Sequence, residues 1–118
     1  MSLDAYIGET VVLQVLYLED DGAALAVVDP QVHVFRYTSE GERVSLLSEE
    51  LRAVGVSDPG RYVHPYALPD SLVDGAVLYV EFRATHPDTG NLLVSREQIN
   101  ARSRGSSSST GLNVRFVR

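Results

Sequence analysis

The stretch Asp74-Gly75-Ala76-Val77-Leu78-Tyr79-Val80-Glu81-Phe82-Arg83-Ala84-Thr85 decides the fold class. Successive side chains of an extended chain point to opposite faces. Leu78, Val80, Phe82 and Ala84 therefore share one face, and Val77, Tyr79, Glu81 and Arg83 share the other. One face is apolar and the other carries charge, which is the pattern of a half-buried strand. Leu78, Val80 and Phe82 are the expected core. Asp74-Gly75 in front of the strand is turn chemistry, and His86-Pro87-Asp88-Thr89-Gly90 behind it reads as a hairpin loop with Gly90 free to take a positive φ. The return strand is expected over 91–101.

The same reading extends outward in both directions. Thr10 to Leu18 is rich in β-branched residues and stops at Glu19-Asp20-Asp21-Gly22, so it is expected as a strand ending in a turn. Ala23 to Val28 is expected as a short second strand, punctuated by Asp29-Pro30. From Gln31, Val32, Val34 and Arg36 alternate with His33, Phe35 and Tyr37, and Thr38-Ser39-Glu40-Gly41 supplies a hairpin turn. The next segment is ambiguous, because Leu47, Leu51 and Val54 also fit a helical spacing. A strand over Val44 to Leu47 followed by a turn or short helix over Ser48 to Ala53 is the expectation. After Pro59-Gly60, Tyr62, His64 and Tyr66 alternate with Val63, Pro65 and Ala67, and Pro65, lacking an amide donor, marks an edge strand or a bulge. Strands recurring at this interval with turn signals between them predict an antiparallel β-sandwich. The 118 residues suffice for one such core.

The texture changes after Ala101. Arg102-Ser103-Arg104-Gly105 and the serines that follow, up to Gly111, have the composition of a flexible linker. Beyond it Leu112, Val114 and Phe116 alternate with Asn113, Arg115 and Val117. The expected organisation is a sandwich over 1–101, a linker over 102–111 and a strand-like arm over 112–118. Met1 to Leu3 read equally well as a remnant outside the fold. No basic and apolar leader is apparent at the start, and no apolar run approaches the roughly 18 residues that cross a bilayer.

Charge narrows the function classes. The net charge is -6, which argues against phosphate-backbone recognition. All ten basic residues are arginine, and Arg102, Arg104, Arg115 and Arg118 follow Glu97 with no acid among them. Arginine is the cation favoured in protein interfaces. Chemistry-bearing constellations are weak. His33, His64 and His86 have no ligand spacing, and cysteine is absent. Glu19-Asp20-Asp21-Gly22 and Asp88-Thr89-Gly90-Asn91 offer oxygens at loop tips without the spacing of a calcium loop, and read as solvated turn acids. No serine sits in a nucleophile elbow, and Ser106 to Ser109 lie in the linker. Glu49 and Glu50, adjacent in a strand, point apart. Tyr62, Tyr66 and Tyr79 with His64 are expected as cross-strand structural pairs rather than a ligand platform, with Tyr79 placed to brace a corner. No catalytic residue, metal or cofactor is expected.

The run Pro59-Gly60-Arg61-Tyr62-Val63-His64-Pro65-Tyr66-Ala67-Leu68-Pro69, with Asp74-Gly75 and Leu78-Tyr79-Val80-Glu81-Phe82-Arg83-Ala84, resembles immunoglobulin-like modules of the macroglobulin and bacterial-adhesin type. Gly111-Leu112-Asn113-Val114-Arg115-Phe116-Val117-Arg118 resembles the arm of a small tailed-bacteriophage virion protein. The resemblance implies an immunoglobulin-like sandwich of about seven strands with a C-terminal arm. It implies a non-catalytic virion component of tail, neck or capsid surface whose partners are protein subunits, including its own copies, with no nucleic acid or membrane. Arg104, Leu112, Val114, Arg115, Phe116 and Arg118 are then the expected partner-binding residues. The other setting is a carbohydrate- or peptide-binding module of a bacterial surface or secreted protein, using loop tips or exposed tyrosines.

Overall fold

A computed structural model describes residues 2–53 and 59–103, and the backbone of 112–117. The described residues are all-β and form two sheets. Their strands are β1 (Ser2–Tyr6), β2 (Thr10–Leu16), β3 (Val28–Tyr37), β4 (Arg43–Glu50), β5 (Arg52–Ala53), β6 (Arg61–Ala67), β7 (Val77–Thr85), β8 (Leu92–Arg102) and β9 (Leu112–Val117). One sheet has the order β1-β8-β7-β3-β4 and the other β5-β6-β2-β9. Most neighbours are antiparallel, but β1 runs parallel to β8 and β9 runs parallel to β2.

The core lies between the sheets and follows the expected alternation. Leu78, Val80 and Phe82 are fully buried, as are Val32 and Val34 beside them. β3 pairs Val34 with Val80 and Val32 with Phe82, so both strands turn their apolar faces the same way. The facing sheet contributes Val11, Leu13 and Val15 from β2, with Tyr62 and Tyr66 from β6, and all belong to one continuous cluster. Burial of each such aliphatic or aromatic side chain contributes roughly 1.5–3 kcal/mol. Tyr62 meets Tyr17 edge-on with ring centroids 6.0 Å apart, and its hydroxyl accepts the Val27 amide at 3.0 Å. Burial pushes the Tyr66 phenol up to about 12, so it stays neutral.

Several expectations are corrected. Ser2–Tyr6 is not outside the fold: Ala5 is buried, and the strand runs beside Gln98 to Arg102. Ser48 to Ala53 contains no helix. β4 continues to Glu50, held by pairing of Glu50 with Gln31 and Ser48 with His33, and β5 follows. The helical spacing of Leu47 and Leu51 loses to this ladder, while Val54 lies outside the described residues. Leu46 is the extra residue of a bulge, because Val34 pairs with Leu47 and Phe35 with Ser45. Ala23 to Val28 does not form its own strand; Ala24 makes one bridge to Leu18, and β3 begins at Val28. Asp29-Pro30 is absorbed into β3 as an irregularity with Asp29 at φ 50°. Pro65 lies past the two residues of β6 that β5 covers, so the missing amide falls at an open edge.

One glycine is tied to the packing of this end of the molecule. Gly60 takes φ +82°, its carbonyl accepts the Tyr17 amide at 2.8 Å, and a Cβ there would stand 2.7 Å from the Tyr17 carbonyl oxygen. Neither the backbone angle nor the neighbouring backbone has freedom to adjust. Gly60→Ala is expected to cost about 2 kcal/mol or more, read as a lowered urea midpoint with an unchanged slope. Gly41→Ala, which also has a positive φ but open space around it, is expected to cost distinctly less.

Candidate functional site: an aromatic and arginine face

Because β7 sends Leu78, Val80 and Phe82 inward, it sends Tyr79, Glu81 and Arg83 to the outer face of the five-stranded sheet. The register then sets their neighbours: Phe35 stands opposite Tyr79, and His33 and Arg96 flank Glu81 from either side. Phe35 is wholly buried although it lies on the outer face, outside the main core cluster. It stacks on Tyr79 at 5.7 Å and meets Tyr37 edge-on at 5.7 Å, and Tyr37 and Tyr79 close the triangle at 5.5 Å. The Arg43 guanidinium covers the ring at 3.7 Å from its centroid, with that of Arg96 at 5.2 Å. Cations over an aromatic face are attracted by its quadrupole.

Glu81 is the electrostatic centre of this face. Its carboxylate is nearly buried and accepts a bond from Arg96 at 2.7 Å, with Arg83 at 3.4 Å on the other oxygen. Burial pushes the carboxyl up, but the hydrogen bond from Arg96 and the charges of Arg96, Arg83 and Arg43 outweigh it and hold the group below the usual carboxylate range. Arg96 is correspondingly held above its ordinary value, first by its bond to Glu81. His33 bonds Ser48 at 3.0 Å and Gln31 at 3.3 Å, and its pKa is lowered, chiefly by burial. The arrangement is a pre-ordered surface of aromatic rings and arginines around one carboxylate, suited to recognition. Among the described residues nothing in it resembles an activated nucleophile.

The expected site residues fall elsewhere. Leu112, Val114 and Phe116 occupy register positions opposite Val11, Leu13 and Val15 on β9, and Arg115 stands opposite Gln14. β9 therefore extends the sheet of its own chain. Arg104 and Arg118 lie outside the described residues. Tyr62 and Tyr66 are buried, so they offer no exposed ligand platform. Tyr79 does not brace a corner; it belongs to the outer aromatic triangle. His64 bonds the Pro65 carbonyl through Nδ1 at 2.6 Å.

The two acidic loop tips do meet. Glu19, His86 and Asp88 bring ligand-type atoms within 4.8 Å of one another, beside a cleft of about 350 Å³. Here the hydrogen bonds decide the chemistry. Nδ1 of His86 accepts the amides of Asp88 and Thr89, so the proton sits on Nε2, which faces Glu19 at 3.6 Å. Nδ1 thus holds its own loop, while Nε2 stands beside Glu19 of the other, so His86 bridges the two loops.

No family model matches the chain, and no curated protein matches it.

Glu81→Gln keeps the shape and removes the charge. It is expected to cost about 1–3 kcal/mol at pH 7. The lowered pKa of Glu81 makes its contribution fully present above the ordinary glutamate pKa and lost as pH falls through the folded-state value. Urea unfolding of both proteins from pH 7 down to pH 3 should therefore show the difference shrinking toward zero at the acid end. A difference that stays constant across that range would show that Glu81 does not act through its charge.

Proposed function

We propose that this chain is a non-catalytic assembly protein that joins protein subunits by exchanging its C-terminal strand between copies. The observation that carries this reading is a mismatch between two parallel crossovers. β1 passes from the five-stranded sheet to β2 in the other through three residues, Ile7 to Glu9. β8 lies parallel to β1 and β9 lies parallel to β2, yet the corresponding passage takes the nine residues 103–111. Six residues are surplus to a crossing the same chain makes with three. They add up to about 20 Å of reach. Ser103 is held where the passage begins, its amide donating to Asp74 at 2.8 Å, while Gly75 donates to the Ala101 carbonyl at 2.8 Å. A strand on so long a tether can take the same register on a neighbour, gaining affinity from main-chain hydrogen bonds and specificity from alternate side chains.

Strand order supports the immunoglobulin-like reading of the body. β8-β7-β3-β4 corresponds to G-F-C-C′ and β5-β6-β2 to D-E-B of that fold. In that correspondence β9 takes the seat beside β2 that a first strand would hold. The tailed-phage virion is the setting this reading favours, on the resemblance of the Pro59–Pro69 run and of the terminal segment. Bacterial surface display is the alternative setting, but it loses the tyrosines first assigned to it, since Tyr62 and Tyr66 are interior.

Shortening 103–111 to three residues provides the test. By the precedent of Ile7 to Glu9 the strand should then close only on its own chain. The expected result, at low micromolar concentration where only strand-exchanged species persist, is that full-length protein forms multimers by sedimentation and the shortened protein does not, with an equal or higher urea midpoint. Equal masses for the two proteins would overturn strand exchange.

A further inference from the structure

We propose that the aromatic and arginine face receives the acidic loop end of a second copy, giving head-to-tail association. The proposal builds on the assembly reading but uses a surface that β9 does not touch. Three observations carry it. First, the charged groups directly around Phe35 and Glu81 are Arg43, Arg83 and Arg96 with one carboxylate, Glu50 standing farther along the same face opposite Gln31, while the chain as a whole is at -6. The remainder of the same molecule is therefore its natural electrostatic complement. Secondly, the face is already ordered. Arg43 lies flat on Phe35 and makes no ion pair among the described residues, and Tyr37 stands beside it with 45% of its surface exposed. Tyrosine and arginine held in place before contact lose little freedom on binding, which is what makes them effective interface anchors. Leu92 and Val94 continue the same face along β8 as exposed apolar side chains, at 58% and 37%.

Thirdly, the complementary charge is at the end of the sheet opposite Tyr37 and Arg43. Tyr37 and Arg43 flank the 38–42 hairpin at one end of the sheet. The turn 19–22 and the loop 86–91 meet at the other, where Glu19 and Asp88 gather around His86, and Asp20, Asp21 and Asp88 are exposed with Glu19 partly so. Arg43 and Tyr37 lie at the end of the sheet away from these loops, so it is between copies that they can meet the acidic end. Between copies they make a heterologous contact, which repeats into a ring or an open filament according to the angle between neighbours. Asp20 and Asp88 would meet Arg43 and Arg83, and Tyr37 would supply the contact area.

A head-to-tail contact has a test that a symmetric one cannot pass. Arg43→Ala spoils the face and leaves the acidic end. The double change Asp20→Arg with Asp88→Arg spoils the acidic end and leaves the face. Both alter exposed side chains, and a single cooperative urea transition with an unchanged slope would confirm that folding is intact. The experiment is run in the full chain with the shortened 103–111 passage, so that strand exchange is blocked and its failure is scored separately. Sedimentation velocity at high protein concentration is expected to show association of the parent protein, weakened at least about tenfold in each variant alone. An equimolar mixture of the two variants is expected to form a one-to-one dimer and nothing larger, because each supplies the surface the other lacks. A mixture that stays monomeric, or variants that associate as the parent does, would overturn the proposal. So would a parent protein that stays monomeric while its face binds a poly-glutamate peptide, since the partner would then be a different acidic protein.

Discussion

The position of β7 between β3 and β8 is the constraint on which the rest depends. Its side chains alternate so strictly that one choice of register turns Leu78, Val80 and Phe82 inward, and a slip by one residue would place Tyr79, Glu81 and Arg83 in the core instead. Burying an unpaired carboxylate and guanidinium there would cost several kcal/mol each. The register is thereby fixed by what it excludes as much as by what it buries. Val34 opposite Val80 then carries the order to β3, and Glu81 opposite Arg96 carries it to β8. The outer face is the other half of the same decision. Glu81 is tolerated in near burial because the strands beside it deliver arginine.

How much of this was legible in the sequence depended on whether the deciding contact was local. The β7 to β8 hairpin and the β3 to β4 hairpin follow from alternation and from turns with Gly90 and Gly41, because the residues that pair are neighbours in the chain. Leu78, Val80 and Phe82 were readable as core for the same reason. β1 was not, since a parallel partner leaves no hairpin signature and five residues show little alternation. Ser48 to Glu50 was readable two ways until pairing with β3 settled it. The aromatic and arginine face is an intermediate case. His33, Phe35 and Tyr37 form one readable face of β3, and Tyr79, Glu81 and Arg83 form one of β7. Only the register shows that these two faces are a single surface, and Arg43 and Arg96 arrive from strands whose alternation says nothing of where they land. Tyr79 was misread for this reason: alone it suggests a corner brace, and beside Phe35 it is part of a platform.

The proposed assembly would thus separate two kinds of contact on one small body. At β9 the contact is main-chain pairing, indifferent to charge and governed by the length of the passage before it. On the outer face it is side-chain recognition, governed by arginine and aromatic placement and open to reversal by a single charge. The acidic loops meet at His86, whose Nδ1 accepts two amides of its own loop while Nε2 stands beside Glu19. A single substitution can therefore alter one contact without the other.

The parallel pairing of β1 with β8 also has a mechanical meaning. When β9 is paired with a neighbour, tension passing along the assembly leaves this molecule at Arg102, the far end of β8, and opposes any pull on the Ser2 end of β1. The two strands are then drawn in opposite senses along their common axis, from Ser2 beside Gln98 to Tyr6 beside Arg102. All the bonds between them share the load at once instead of opening one after another, as they would at a hairpin. The β1 and β8 pair would then carry in shear any force that an exchanged terminal strand transmitted.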